Sequence, residues 1–128
     1  MLPEGLHVRS AYLDSSTGIL GPDMVASLLV DCSTIDTKTS LRVAKETWSR
    51  NLKASFYDAP MSGGTQCAEA ASLTFTVGCT DDGSDVLYPL LNEPLSLMGK
   101  TVVACAGPGI RLTAKLCNKN CPGLVLKP

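Results

Sequence analysis

Four short stretches of the chain have the hydrophobic pattern of β-strands. Three are short runs of the kind that buried strands require, and one alternates apolar and polar residues. They are Ser27–Cys32, Ala54–Asp58, Leu73–Gly78 and Thr101–Cys105, and the third is the alternating one. The pattern therefore predicts four strands.

A helix is predicted directly after the first of these strands. Asp36 offers an N-cap, because a carboxylate can accept a hydrogen bond from a free backbone N–H at the start of a helix. Leu41, Ala44 and Trp48 then recur at helical spacing as far as Arg50. This spacing predicts a helix that ends near Arg50.

Two further segments have a helix-like pattern. Residues 81–98 contain Pro89 and Pro94, which must shorten or kink the helix. Residues 110–118 begin another helix after Gly109. Strands that alternate with helices in this order predict an α/β fold, in which helices pack against a sheet.

Composition and charge narrow the class of protein. The chain has 128 residues, 45% of them hydrophobic, which suits one domain with a real core. Eleven Lys and Arg against twelve Asp and Glu give a net charge of −1. The chain therefore has no excess of positive charge that would attract it to nucleic acid or to an anionic membrane. The longest apolar run, Val25–Val30, is far shorter than a bilayer span. With no secretory or transit pattern in its first ten residues, we expect an intracellular, soluble, globular protein.

The cysteines argue against a metal site. None of the six is spaced as Cys-x-x-Cys, and the single histidine, His7, lies far from all of them. A zinc site needs four ligands that converge, usually delivered as two close pairs. Cys32, Cys79 and Cys105 fall in or beside strand-like runs, where a thiol behaves as a small buried hydrophobe. We therefore predict no metal.

Two stretches resemble nucleotide-binding motifs but lack a glycine that each motif requires. Gly99–Thr101 resembles the end of a phosphate-binding P-loop, but Pro94 stands where that loop needs a glycine. Gly107–Gly109 resembles a dinucleotide fingerprint, but Leu112 replaces its third glycine. Hydrolase triads are excluded as well, since there is no Gly-x-Ser-x-Gly and His7 is the only imidazole.

The most informative segment is Ser62-Gly63-Gly64. It follows the second predicted strand, so it lies at the carboxyl end of the sheet, where α/β proteins form ligand sites. Consecutive backbone N–H groups without a Cβ can hold a carboxylate or a phosphate. The same residues equally suit an ordinary glycine-rich turn, and the motif alone does not decide between the two.

Six motifs in a fixed order give the chain a family resemblance. They are Met1-Leu-Pro, Asp31-Cys-Ser-Thr-Ile-Asp, Asp58-Ala-Pro-Met-Ser-Gly-Gly, Leu73-Thr-Phe-Thr-Val-Gly, Met98-Gly-Lys and Ala114-Lys-Leu-Cys-Asn. Over about residues 1–120 the chain resembles the β-hydroxyacid dehydrogenase family, in particular its 3-hydroxyisobutyrate dehydrogenase branch. That family is related to 6-phosphogluconate dehydrogenase through the NADP-binding domain.

The resemblance implies a particular part of a larger fold. Residues 1–108 would form the C-terminal half of a Rossmann-like NAD(P)-binding domain, a mixed sheet with flanking helices. Residues 109–120 would start the interdomain helix, and residues 121–128 are an unpatterned tail. Family members also have a preceding Gly-x-Gly-x-x-Gly unit and a following helical domain, neither of which is in this sequence. We therefore expect a truncated form.

The resemblance also implies roles for individual residues. Leu2, Pro3 and Thr34 would line the site for NAD or NADP. Ser62–Gly64 would hold the carboxylate of a small β-hydroxy acid, and Lys115 would be the catalytic acid/base that exchanges a proton with the substrate hydroxyl.

Substitutions around the predicted catalytic lysine depart from the family pattern. Asn118 would contribute to substrate binding, but Lys119 stands where the family usually has a second asparagine. Arg111 replaces a glycine in the turn before the helix, where it would crowd a close backbone approach. These changes suggest relaxed constraint on the site.

Two functions follow as hypotheses. The first is an NAD(P)-dependent oxidoreductase of the 3-hydroxyisobutyrate dehydrogenase type, whose isolated 128 residues we expect to be inactive. The alternative is a non-catalytic fragment or interaction module. Its apolar edge, Leu28 to Asp31, would lack the strands that normally cover it and would pair with another chain. A full-length paralogue or a second copy would be the partner, and neither nucleic acid nor a membrane is expected.

Overall fold

The computed structural model describes residues 1–50, 53–79 and 85–105. These ranges contain both helices and strands, as the hydrophobic pattern predicts. The elements are α1 (Gly5–Leu13), β1 (Leu28–Asp31), α2 (Thr37–Arg50), β2 (Ser55–Asp58), β3 (Met61–Ser62), α3 (Gly64–Glu69), β4 (Leu73–Val77), α4 (Tyr88–Met98) and β5 (Gly99–Ala104). The predicted helix over residues 110–118 lies outside the described ranges.

The strands form a two-stranded sheet of β1 and β2 and a three-stranded sheet of β3, β4 and β5. β1 and β2 are parallel, with Asp31 opposite Asp58, and β4 and β5 are also parallel to each other. β3 pairs with β4 in the antiparallel direction. The chain from β2 to β3 joins the two groups of strands, because the carbonyl of Asp58 accepts a hydrogen bond from Gly78 N–H (3.1 Å) and that of Pro60 accepts one from Thr76 N–H (3.0 Å). The predicted mixed α/β sheet with flanking helices is confirmed.

The apolar side chains collect into two cores. The first packs α1 and α2 against β1 and β2, with the rings of Tyr12 and Phe56 edge to face at 5.7 Å between centroids. The second packs α4 against β4 and β5, around Phe75, Leu91 and Leu95, each no more than 2% exposed. Gly99 begins β5 beside this core, where a Cβ would lie 2.5 Å from the carbonyl oxygen of Leu73.

Helix α2 starts as predicted, but its buried face includes only one of the three residues that predicted it. Asp36 Oδ1 accepts a hydrogen bond from Thr39 N–H (2.8 Å), so this residue is the N-cap. Of the three residues whose spacing predicted the helix, Ala44 is buried, but Leu41 and Trp48 are 44% and 48% exposed. Val43, outside that set, is fully buried. The inner face is made of small and β-branched residues, which allow the helix to approach β2 and α1 closely.

Three elements were not predicted from the sequence. α1 has only two buried residues, Val8 and Tyr12, and its apolar Leu6 is 70% exposed, so its periodicity is weak. β3 and α3 occupy the segment interpreted as a loop around Ser62–Gly64. β3 is two residues long and depends on pairing with β4, which no local pattern reveals.

The described part of α4 is shorter than the helical pattern suggests. It begins at Tyr88 and places Pro89 in its first turn, where a missing N–H costs nothing because that group has no partner within the helix. Pro94 lies inside the helix. The prediction that prolines shorten this helix agrees with its start at Tyr88.

Candidate functional site

Two buried aspartates end the parallel strands β1 and β2. Asp31 and Asp58 are register partners and are 5% and 4% exposed. Asp31 Oδ1 accepts a hydrogen bond from Ser33 N–H (2.9 Å), which turns the chain sharply after β1. The carboxyl edge of the sheet is therefore built around carboxylates that point into the protein.

The residues predicted to line a dinucleotide site come together at this edge. Leu2 N–H donates a hydrogen bond to Ser33 Oγ (2.8 Å), although the two residues are 31 positions apart. This bond places Leu2 and Pro3 beside the turn that contains Thr34. We call Leu2, Pro3, Ser33 and Thr34 the Leu2 corner. Pro3 and Thr34 are exposed, Leu2 is half-buried against the first core, and Ser33 is 1% exposed.

The starts of α1 and α2 meet next to the Leu2 corner. A Cβ at Gly5 would lie 2.8 Å from Asp36 Oδ2 and 3.1 Å from Thr39 Oγ1, so glycine permits this close approach. Hydrogen bonds from the side chain and the backbone of Thr39 lower the pKa of Asp36. The Asp36 carboxylate therefore stays ionised beside the positive ends of two helices. Sequence analysis did not single out Gly5, whose only signal was its place two positions after Pro3.

Two titratable side chains behind the corner are held neutral. Burial, followed by the negative charge of Asp31, raises the pKa of Tyr12 far above its usual value. Burial is also the main reason why the pKa of the Cys32 thiol is raised, with a smaller contribution from Asp31. Neither group is suited to proton transfer near neutral pH.

The Ser62–Gly64 segment, which we call the Ser62 turn, has a different construction. Ser62 ends β3 opposite Thr74, and Gly63 and Gly64 lead into α3 with φ angles of +142° and +71°. A Cβ at Gly63 would lie 2.6 Å from the Cβ of Cys67, whereas one at Gly64 would meet nothing within 4 Å. All three residues are exposed. The prediction of a loop here is corrected: the segment is a strand end and a helix start, and both glycines have a conformational role.

The Leu2 corner and the Ser62 turn lie beyond the carboxyl ends of the same strand pair. Ser62 lies four positions after Asp58, a distance of at most about 13 Å at the rise of a strand. Lys115 and Asn118, predicted for catalysis and substrate binding, lie outside the described residues. The structure thus unites the three predicted dinucleotide residues and places the predicted carboxylate-binding residues farther along the edge.

Elsewhere in the described ranges, a cavity of about 490 Å³ contains none of the predicted site residues. It is lined by Leu20, Gly21, Pro22, Met24 and Arg50. The Arg50 guanidinium closes one side by donating a hydrogen bond from Nη1 to the carbonyl of Leu20 (2.7 Å). Within those ranges, no three His, Cys, Asp or Glu side chains come together as metal ligands.

The fold and the polar carboxyl edge define the class of protein as an α/β nucleotide-binding domain of the Rossmann type. A family model agrees: residues 1–107 match the NAD binding domain of 6-phosphogluconate dehydrogenase. The chain therefore belongs to this family. NAD binding defines the family, in agreement with the predicted cofactor class.

Named relatives and solved structures point to the predicted branch. The chain is 40% identical over 118 residues to human mitochondrial 3-hydroxyisobutyrate dehydrogenase, covering 92% of this chain and 33% of that protein. The Mycobacterium tuberculosis 3-hydroxyisobutyrate dehydrogenase solved with L-serine is 32% identical with a TM-score of 0.73, covering 92% of this chain and 37% of that one. Psf3, solved with NADP+ and 2-OPP, has a TM-score of 0.73 at 24% identity and supports the fold.

The matched relatives are longer than this chain and come from both mitochondria and bacteria. The chain spans about a third of the length of the curated relatives that it matches. The relatives include mitochondrial and bacterial enzymes. None of the helices in the described ranges has the length and hydrophobicity that a membrane crossing requires.

Proposed function

We propose that this chain is the cofactor-binding part of an NAD(P)-dependent oxidoreductase of the 3-hydroxyisobutyrate dehydrogenase type. The observation that carries the proposal is the 2.8 Å bond from Leu2 N–H to Ser33 Oγ, which gathers Leu2, Pro3 and Thr34 at one edge of the sheet. Family membership and 40% identity to the human enzyme support it. The reaction would transfer a hydride between a nicotinamide and a small β-hydroxy acid.

The chemistry of the Leu2 corner fits one end of the cofactor. Leu2, Pro3 and Thr34 offer apolar surface and a hydroxyl but no positive charge. Such a set suits the nicotinamide and its ribose better than the pyrophosphate. The Asp31 carboxylate is buried and bonded inward, so it does not face this surface. NAD or NADP, when bound, would supply the hydride chemistry.

The Ser62 turn would hold the substrate. The exposed hydroxyl and backbone N–H groups of Ser62–Gly64 suit the carboxylate of a β-hydroxy acid. The M. tuberculosis relative was solved with L-serine, which is itself a β-hydroxy acid. Asn118 would add a substrate contact, and Lys115 would give a proton to the substrate oxygen or take one from it.

Saturation-transfer NMR of the purified chain with NAD and with NADP tests the proposal. Because the chain spans only about a third of its relatives, we expect weak binding, with a dissociation constant well above micromolar, and no turnover of β-hydroxy acids. AMP and an unrelated small anion serve as controls. Absence of any dinucleotide signal at millimolar concentration would contradict the proposal, and micromolar affinity would contradict the expected weakness.

A second candidate function is a non-catalytic module that pairs with another chain through β1. Ser27 and Asp31 accept hydrogen bonds from Ser55 and Ala59, so the backbone groups of Leu28 and Val30 face away from β2. Within the described residues, β1 has β2 as its only strand partner. This edge suits a second copy or a full-length paralogue.

Light scattering over a range of concentrations tests this second function. We expect the chain to associate with itself or with a paralogue. Leu28→Pro should abolish association, because proline removes an edge N–H that β2 does not use. A folded wild-type chain that stays monomeric and ignores the paralogue would contradict this function and leave the first one standing.

A further inference from the structure

We infer that Ser33 is a positioning residue for the dinucleotide: its hydroxyl oxygen holds the Leu2–Pro3 segment beside Thr34. The inference rests on the proposed function, since it concerns the same corner of the sheet. Neither the predicted site residues nor the comparisons assign a role to Ser33. The assignment follows from three contacts that fix residues 2–5.

The first contact joins the segment to the turn after β1. Leu2 N–H donates to Ser33 Oγ at 2.8 Å. Pro3 has no N–H, so Leu2 is the only backbone donor of this pair. In the described residues, this is the one hydrogen bond that Leu2 N–H donates. Loss of the Ser33 hydroxyl would therefore leave that N–H without an acceptor.

The second contact makes Ser33 itself rigid. Its N–H donates to Asp31 Oδ1 at 2.9 Å, and both residues are at most 5% exposed. Asp31 belongs to β1, and its carbonyl accepts a hydrogen bond from Ala59 N–H (2.8 Å). Two hydrogen bonds, from Leu2 to Ser33 and from Ser33 to Asp31, thus connect Leu2 to the paired strands β1 and β2.

The third contact fixes the other end of the segment. Gly5 lies so close to Asp36 and Thr39 that a Cβ would be 2.8 Å from the carboxylate. Residues 2–5 are therefore held at both ends, with Pro3 and Glu4 exposed between them. A surface fixed in this way loses little conformational entropy when a ligand binds, which favours affinity.

The test compares Ser33→Ala with Thr47→Val in the full 128-residue chain. Thr47 is a matched control: it is fully buried, its Oγ1 donates to the carbonyl of Val43 (2.9 Å), and it lies near the far end of α2. Each substitution removes one buried hydroxyl. Dissociation constants for NAD come from chemical-shift titrations, and thermal unfolding of each variant measures the general loss of stability.

We expect Ser33→Ala to weaken NAD binding by about three- to tenfold, the effect of losing one ordering hydrogen bond. Thr47→Val should lower the melting temperature comparably and leave the affinity unchanged. In Ser33→Ala, NAD should still shift the Thr34 amide signal but no longer that of Leu2.

Each other outcome has a distinct meaning. Equal losses of affinity in both variants would make the effect one of general stability and overturn the role of Ser33. Unchanged affinity and unchanged Leu2 shifts in Ser33→Ala would overturn it too, while the proposed function would stand. If NAD shifts no signal of the wild-type corner, the proposed function itself fails, and the role of Ser33 fails with it.

Discussion

The Leu2 corner and the Ser62 turn lie on the same edge of the sheet but are held by different kinds of interaction. The corner depends on side chains: buried Asp31 and Ser33 join segments that are 31 residues apart in the sequence. The turn depends on local backbone conformation, with two glycines at positive φ and every residue exposed. The site formed by distant segments is thus held by buried polar groups, whereas the local one is held by its backbone conformation.

The largest effect should come from Gly63. Gly63→Ala forces a Cβ to within 2.6 Å of the Cys67 Cβ at a φ of +142°, so we expect a loss of about 2–3 kcal/mol in the free energy of unfolding. Gly64→Ala meets no neighbour, and its φ of +71° should cost only about 1 kcal/mol. Urea unfolding of both variants measures the difference. Equal losses would show that steric contact with Cys67 does not shape the turn.

A smaller effect should separate two substitutions of Asp31. Both Asp31→Ala and Asp31→Asn remove the charge, but asparagine keeps an oxygen that can accept the hydrogen bond from Ser33 N–H. We therefore expect the alanine variant to be less stable than the asparagine variant by about 1–2 kcal/mol, because a buried N–H is left without an acceptor. Chemical denaturation is the measurement. Equal stabilities would mean that the corner does not depend on this side chain.

The smallest effect should be a pH dependence beside the corner. The pKa of Asp36 is lower in the folded chain than in the unfolded one, so its contribution to stability is present above the unfolded value and is lost as the pH falls through the folded value. Between about pH 5 and pH 2, the wild type should lose slightly more stability than Asp36→Asn, which still caps α2 but does not titrate. Parallel pH profiles for the two proteins would contradict the role of the Asp36 charge.

Much of the fold was predictable because its signals are local. β1, β2 and β4 coincide with short apolar or alternating runs, and Asp36 marks the start of α2. The elements that were missed depend on partners distant in the sequence. β3 exists because β4 pairs with it, and α1 buries only Val8 and Tyr12 against other segments. Trp48 is exposed although its spacing suited a core, since the close approach of α2 to β2 favours smaller side chains.

The same difference applies to the candidate site. The Ser62 turn could be singled out in the sequence because two consecutive glycines after a strand are a local signal, although the motif alone did not distinguish a ligand site from an ordinary turn. Ser33 was not, because a serine two positions after an aspartate says nothing about a partner 31 residues away. Leu2, Pro3 and Thr34 could be proposed only through the family resemblance, and the structure supplies the contact that brings them together.

The most direct test of the account maps two ligands onto the amide signals of the wild-type chain. Titration with NAD should shift Leu2 and Thr34, and titration with L-serine or another short β-hydroxy acid should shift Ser62, Gly63 and Gly64. Separate responses at these two places would support a cofactor corner and a substrate turn on one sheet edge. NAD shifts centred on the cavity beside Arg50, or on none of these residues, would contradict it.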